Sequence, residues 1–253
     1  MSSNSAKVIG VDGKEAGDVE LPEVFNSPVR LDVISRAVIA QQSRRFQPQG
    51  RNRMAGKRTT AESFGVGRAL SRVPRISEPP LSGQGAFAPG TVGGRLAFPP
   101  TPLKKLIKQI NRKERLLALR SAIAFSARKD AVKERGHRFD DELDFPLIVS
   151  DDIEKYSKTS EARALMTTLG VWDDIEKVQD TVKIRNHKKK HRIGPLVVVS
   201  NSRTAGKAFG NLAGVNVVTV KDLSVEDLAP GTRPGRLTIW TESAVKELAS
   251  REW

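Results

Sequence analysis

The chain has no cysteine, a single tyrosine and only 5% aromatic residues among its 253 positions. The missing cysteine excludes a disulfide scaffold, a thiol nucleophile and cysteine-based zinc or iron–sulfur centres, and it fits a reducing interior. With 38% hydrophobic residues and few aromatics, the core is expected to be modest and aliphatic. No apolar run approaches the ~18 residues that a membrane helix requires, so no span is expected. The opening MSSNSAKVIG lacks the apolar stretch of a secretory signal. Acids are scarce too: 29 Asp and Glu face 43 Lys and Arg, a net charge of +14. A chain this basic is expected to meet polyanions.

The excess charge sits in three pieces. Residues 44–100 carry 10 cations and 2 acids, residues 101–136 carry 11 and 3, and 185–192 (RNHKKKHR) carries 5 and none. The rest of the chain is then left at −7. One such run can be a solvated face. Three of them on an otherwise acidic protein favour nucleic acid.

Residues 44–100 also hold 9 of the 20 Gly and 7 of the 14 Pro. Their apolar residues follow neither period 3.6 nor period 2, and Gly and Pro at this density break helices and ladders. The expectation is one long irregular extended loop, which inside a compact domain is unusual unless functional or disordered. Phe46, Phe64, Phe87 and Phe98 are scattered among its arginines, where they can anchor the loop or stack on bases. Folded back on itself, such a loop reaches at most about 90 Å, at ~3.3 Å per residue over half its length.

The remaining 196 residues, 1–43 and 101–253, suffice for one core. AKVIGV (6–11) and DVEL (18–21) around Asp12-Gly13 predict a short hairpin. Val29, Val33, Ala37 and Ala40, with Ile34 and Val38, predict a helix within 29–43. Leu103, Leu106, Ile107 and Ile110 stand at helical spacing, and Asn111 with Glu114 looks like a capping box opening a second helix with the stripe Leu116, Leu119, Ile123 and Ala127. Residues 101–136 thus read as an amphipathic helix pair with its lysines outward. Leu147–Val149, Leu196–Val199, Val215–Val220 and Leu237–Trp240 are short aliphatic runs of the kind buried on both faces of a parallel sheet. Ser160–Leu169 reads as a helix stopped by Gly170, and Glu242–Ala249 as another. The class expected is α/β: a three-layer domain with a mostly parallel sheet between helices, carrying the loop as an insert.

Candidate chemistry is thin. Asn201-Ser-Arg-Thr-Ala-Gly206-Lys207-Ala208 follows a strand but has Asn201 and Ala208 where a phosphate loop needs Gly and Ser/Thr, so it reads as an ordinary strand-to-helix turn. Gly65-Val-Gly67-Arg-Ala-Leu70 fails the dinucleotide fingerprint at its last position and follows no buried strand. His187 and His191, four apart, would share a helix face, but Lys188, Lys189 and Lys190 between them would repel a metal. His137 beside Gly136 reads as a turn residue. Asp151 and Asp152 after a strand can hold Mg²⁺, yet Ser150 and Asp151 also suit helix capping ahead of Ile153–Tyr156. Asp140, Asp141, Glu142 and Asp144 read as a solvated loop. No catalytic constellation, metal or cofactor is expected.

Several segments are closely similar to a known family. QPQGRNRMAGKRTTAESFGVGRALSRVPR (47–75), GTVGGRLAFPP (90–100), NRKERLLALRSAIA (111–124), RALMTTLGVWDDIEKV (163–178) and GPLVVVSNSRTAGKAFGN (194–211) resemble large-subunit ribosomal protein four in its archaeal–eukaryotic branch. The order of these motifs and the long insert are specific, and the likeness runs over essentially the whole chain. Eukaryotic members generally carry a long C-terminal extension, so an end at Trp253 suggests an archaeal chain.

The resemblance implies a structural, non-enzymatic constituent of the cytoplasmic large ribosomal subunit. Its globular α/β body would sit on the outside of the subunit, with the loop threaded through the rRNA to the wall of the peptide exit tunnel. By position, Gly56, Lys57, Arg58, Thr59, Thr60, Phe64, Gly65, Gly67, Arg68 and Arg72 would lie at the loop's inner end near the constriction. There ribosomal protein twenty-two would be the neighbour and the nascent peptide would pass. The cations expected to meet rRNA are Arg44, Arg45, Arg51, Arg53, Lys57, Arg58, Arg68, Arg72, Arg75 and Arg95 in the loop. Lys104, Lys105, Lys108, Arg112, Arg115, Arg185, Lys188, Lys189, Lys190 and Arg192 complete the set. Two other readings compete: an RNA-binding regulator acting outside the ribosome, and a nucleotide- or metal-dependent enzyme using Gly206-Lys207 or Asp151-Asp152.

Overall fold

The structure, a computed structural model, describes residues 5–251. It falls into two compact units, one of residues 1–42 with 109–253 and one of residues 43–108.

The first unit is α/β. Strands β1 (Ser5–Ile9) and β2 (Glu15–Glu20) form the expected hairpin, pairing antiparallel. Its turn closes with Gly10 N–H donating to Lys14 O at 2.7 Å and with Gly13 at φ +76°. Helix α1 (Leu31–Ser43) follows, then α2 (Arg112–Ser126) and α3 (Lys129–Arg135). Next come β3 (Leu147–Val149), α4 (Thr159–Thr168), α5 (Trp172–Asp180), β4 (Lys183–Arg185), β5 (Lys188–Lys190) and β6 (Leu196–Val199). Helix α6 (Ser202–Phe209), β7 (Asn216–Thr219), the one-turn α7 (Val225–Leu228), β8 (Thr238–Thr241) and α8 (Glu242–Ser250) complete it. The main sheet runs β2-β1-β3-β8-β6-β7, and every pairing but the β1–β2 hairpin is parallel.

Alternation along the strands divides the core into two layers, as a sheet with period-two side chains requires. Val8, Ile148, Leu196, Val198 and Trp240 face a cluster containing Val33, Ile34 and Val38 of α1, Ala118, Ala122 and Ile123 of α2, and Val245 and Leu248 of α8. Leu147, Val149, Val197, Val199 and Ile239 face the opposite cluster, with Ala162, Leu165 and Met166 of α4, Ile175 of α5 and Phe209 of α6. Each fully buried aliphatic chain contributes about 1.5–3 kcal/mol. The sheet is therefore covered on both sides, the three-layer arrangement that near-continuous Val/Ile/Leu runs demand.

Three local expectations fail. Residues 103–110 form no helix, and Leu103 and Ile107 are exposed. Only Leu106 and Ile110 of the stripe are partly buried, Ile110 against the core, and two such contacts over eight residues do not offset the cost of helix nucleation. Asn111 stands at the N-cap of α2 without a side-chain cap bond, and Glu114 instead pairs with Arg36 of α1 at 2.8 Å, so no capping box forms. Ser150 likewise occupies the N-cap position of a short 3-10 turn (Asp151–Lys155) with no side-chain bond, while Asp151 caps a different element.

Candidate nucleic-acid interface

The second unit is more ordered than its composition suggests. Glu62 and Arg75 exchange backbone bonds at 3.1 and 3.0 Å, and Ala86 N–H donates to Pro74 O at 2.9 Å. The expected irregular course, without helix or named strand, is what the segment shows, and isolated antiparallel bridges brace it where its Gly and Pro residues permit. The Arg75 guanidinium donates to Gly83 O at 2.7 Å and to Ser71 Oγ at 3.1 Å, so this cation is engaged within the unit. A turn over 52–57 is closed by Ala55 N–H to Asn52 O and Lys57 N–H to Met54 O. Gly56 lies there at φ +75°, and a Cβ on it would come within 2.4 Å of Gly94 O. Only glycine permits that backbone approach.

The 63–72 excursion is tied at its base by Ser63 Oγ donating to Arg72 O at 3.0 Å. At its apex Gly65 and Gly67 take positive φ with open space beside them, and Arg68 lies 5.4 Å from the Phe64 ring centre. Arg95 similarly lies 5.6 Å from Phe87. Guanidinium–ring stacking of this kind leaves the cation's edge available for phosphate. Phe46 is exposed, and Phe98 is 96% exposed.

Arg44, Arg45, Arg51, Arg53, Lys57, Arg58, Arg68 and Arg72 are exposed, whereas Arg75 and Arg95 are half-buried. Of the residues placed at the loop's inner end, Thr60, Gly65 and Gly67 are exposed, and Gly56, Thr59 and Phe64 are half-buried. Glu62 and Glu78 are the only acids among 44–100, so most of these charges have no carboxylate near in sequence to neutralise them. Lys104, Lys105, Lys108, Arg112 and Arg115 are exposed as well, with the Lys108 backbone N–H bonded to Ser43 Oγ at 2.9 Å.

The third basic piece is a hairpin and no helix, which corrects the shared helix face of His187 and His191. β4 and β5 pair antiparallel with Lys183 opposite Lys190, Ile184 opposite Lys189 and Arg185 opposite Lys188. Asn186 and His187 form the turn, both at positive φ, the backbone that two-residue hairpin loops need. Lys188, Lys189, Lys190 and Arg192 are exposed; the Arg185 side chain lies outside the described residues. Like charges directly opposite destabilise a ladder, so this ribbon gains from an anion laid along it.

The edge where α/β enzymes place catalytic groups, outside the carboxyl ends of the parallel strands, is closed by its own acids. Glu154 accepts the Ser200 and Asn201 N–H groups at 2.7 and 3.2 Å and the Thr241 and Ser243 hydroxyls, both at 3.0 Å. Asp151 accepts Ser243 N–H at 2.8 Å at the start of α8, and Asp152 pairs with Lys155 at 2.8 Å. Asn201 caps α6 through Arg203 N–H, placing Gly206 and Lys207 inside the helix rather than in a phosphate loop. No group of His, Cys, Asp and Glu suited to a metal occurs among the described residues. Asp140, Asp141, Glu142 and Asp144 are exposed, as a solvated loop should be.

His137 is no isolated turn residue. Its Nδ1 lies 2.8 Å from Asp174 Oδ2, and both side chains are 4% exposed. The other Asp174 oxygen accepts Arg138 N–H at 3.1 Å. Sequence reading also overlooked Arg236, a cation only 2% exposed. Its guanidinium donates to Gly194 O, Asp227 O, Pro195 O and Asn216 Oδ1 at 2.6–3.1 Å. Burial pushes its pKa down to about 10. A charge that binds carbonyl oxygens of three separate segments, 194–195, Asn216 and Asp227, pins the β6, β7 and β8 ends together.

Residues 19–251 match the family described as the ribosomal protein L4/L1 family. The chain is 46% identical over 252 residues to the large ribosomal subunit protein uL4 of Saccharolobus islandicus, covering 96% of this chain and 93% of that one. It is 48% identical to the protein of that name from Saccharolobus solfataricus and 45% identical to that from Sulfurisphaera tokodaii, with the same coverage.

Proposed function

The chain belongs to the ribosomal protein L4/L1 family, and from that premise we propose that it is a structural constituent of the large ribosomal subunit. It holds large-subunit rRNA through the exposed cations of residues 44–72, the 104–115 segment and the β4–β5 ribbon. The observation that carries this reading is the second unit. It combines 10 cations with 2 acids over residues 44–100, a backbone braced by its own bridges, and most of the cations at the surface.

The physics is mutual. Packed rRNA presents phosphates at high density, and each arginine entering that field releases condensed counterions. Arg75, bonded to Gly83 O and Ser71 Oγ, braces the segment that displays the others. Phe98 and Phe46 offer flat apolar surfaces on which unpaired bases can stack. Residues 56–72, with the 63–72 excursion among them, are the part of the loop that reaches the wall of the peptide exit tunnel near its constriction. They meet ribosomal protein twenty-two there and are passed by the nascent peptide. The closed strand-end edge, with Glu154, Asp151 and Asp152 all engaged, favours this reading over an enzyme acting on RNA.

Deleting residues 44–100 tests it. The body keeps its thermal midpoint while affinity for large-subunit rRNA falls steeply. Undiminished affinity with normal melting would defeat the proposal.

A further inference from the structure

A second cationic site is assembled in the first unit, from Arg135 and Arg192 at the ends of two of the basic runs and from Lys177 and Arg233 outside them. A cleft of about 410 Å³ is lined by Arg135 at the end of α3, Lys177 of α5, Arg192 after β5 and Arg233 before β8, together with His137 and Asp174. Asp174 is the one carboxylate of this lining, and it is fully engaged by His137 Nδ1 and Arg138 N–H. Arg135 is fixed by carbonyls, Pro230 O at 3.0 Å and Pro234 O at 3.5 Å. Among the described residues no carboxylate lies within ion-pairing distance of it. Burial lowers its pKa to about 10, and the charge of Arg233 adds to the effect. Lys177 Nζ donates to Gly136 O.

Four cations therefore converge on one cleft with their only acid already occupied. Two of the five guanidinium N–H groups of Arg135 are used, which leaves three. Arg135 and Lys177 are half-buried while Arg192 and Arg233 are exposed, and an anion entering between them offsets the mutual repulsion while accepting the open donors. Arginine forks match the oxygens of phosphate in spacing and plane. The cleft is larger than a phosphate, so the group can arrive attached to a nucleoside or along a chain. We infer that this cleft binds a phosphate group, held between Arg135, Lys177, Arg192 and Arg233. The inference rests on the lining itself and does not require the ribosomal assignment.

The test is an NMR titration of the full chain with inorganic phosphate at constant ionic strength. It is compared with the R192Q/R233Q variant, which spares the carbonyl bonds of Arg135 and Lys177. Saturable shifts confined to the amides of residues 135–138, 177, 192–193 and 233, with affinity about tenfold or more weaker in the variant, are expected. A short oligouridylate is then added to the phosphate-loaded protein. Displacement of phosphate from those signals assigns the site to an RNA phosphodiester; persistence of the phosphate shifts assigns it to a free phosphate or phosphomonoester. No saturable shift at these amides, or an unaltered response in the folded variant, overturns the inference. The oligouridylate's total affinity is read in the same samples. RNA binding with a silent cleft would refute the cleft alone and leave the proposed function intact.

Discussion

Replacing Arg51, Arg53, Lys57 and Arg58 together by Gln should weaken rRNA binding in a way that identifies its cause. All four are exposed and lie in or beside the turn over 52–57, whose closure uses backbone bonds and the Gly56–Gly94 approach, none of which the substitutions touch. Thermal unfolding should therefore not change. If each cation neutralises one phosphate of a duplex, the slope of log K against log salt becomes shallower by ~0.9 per residue, about 3.6 in all. Between low and physiological salt, a fourfold change in concentration, the wild type then loses about a hundredfold more affinity than the variant does. Fluorescence anisotropy with a labelled large-subunit rRNA fragment over a salt series reads both quantities. R163Q provides the control, since Arg163 is an exposed cation on α4 stacked 4.7 Å from Trp172, outside the three basic pieces, and its loss should leave the slope alone. A quadruple variant with a slope within one unit of wild type would show that the turn does not meet phosphates.

Other outcomes follow from the same geometry. R236A strips Gly194 O, Asp227 O and Asn216 Oδ1 of a buried donor, at ~1–3 kcal/mol each; urea unfolding should show a loss of about 3 kcal/mol or more, and a loss under 1 kcal/mol would contradict the pinning role. G56A forces a Cβ against Gly94 at positive φ, so limited trypsin digestion should cut faster at Arg53, Lys57 and Arg58 while the body melts as before; unchanged cleavage would count against the close approach. D151A removes the acceptor for Ser243 N–H at the start of α8 and should cost about 1 kcal/mol, lowering the melting midpoint by ~2–4 °C. An unshifted midpoint would mean that the bond is dispensable.

The sheet was legible because its central strands are buried on both faces, which writes Leu147–Val149 and Leu196–Val199 as unbroken aliphatic runs and Leu237–Trp240 as a nearly apolar one. The β4–β5 ribbon was not, since Lys188–Lys190 carries no apolar alternation and its turn places a histidine at positive φ. The stripe at 103–110 has the spacing of a helix, but Leu103 and Ile107 lack the neighbours that would bury them, and spacing alone misleads there. Composition identified the cationic loop but could not separate Arg75, bonded to Gly83 and Ser71, from the exposed arginines around it. The His137–Asp174 pair and the Arg135, Lys177, Arg192 and Arg233 cleft join separate stretches of the chain, and the basic runs that include Arg135 and Arg192 do not reveal their convergence. The likeness to the ribosomal family supplied what charge arithmetic could not, a particular polyanion to propose.

The most direct test of the central claim is sedimentation of a tagged chain through a sucrose gradient after a high-salt wash, followed by blotting. A loop enclosed by rRNA keeps the protein with the large subunit at salt concentrations that strip surface contacts. Recovery at the top of the gradient would mean that the basic pieces touch RNA only from outside, and the reading of a regulator acting away from the ribosome would take its place.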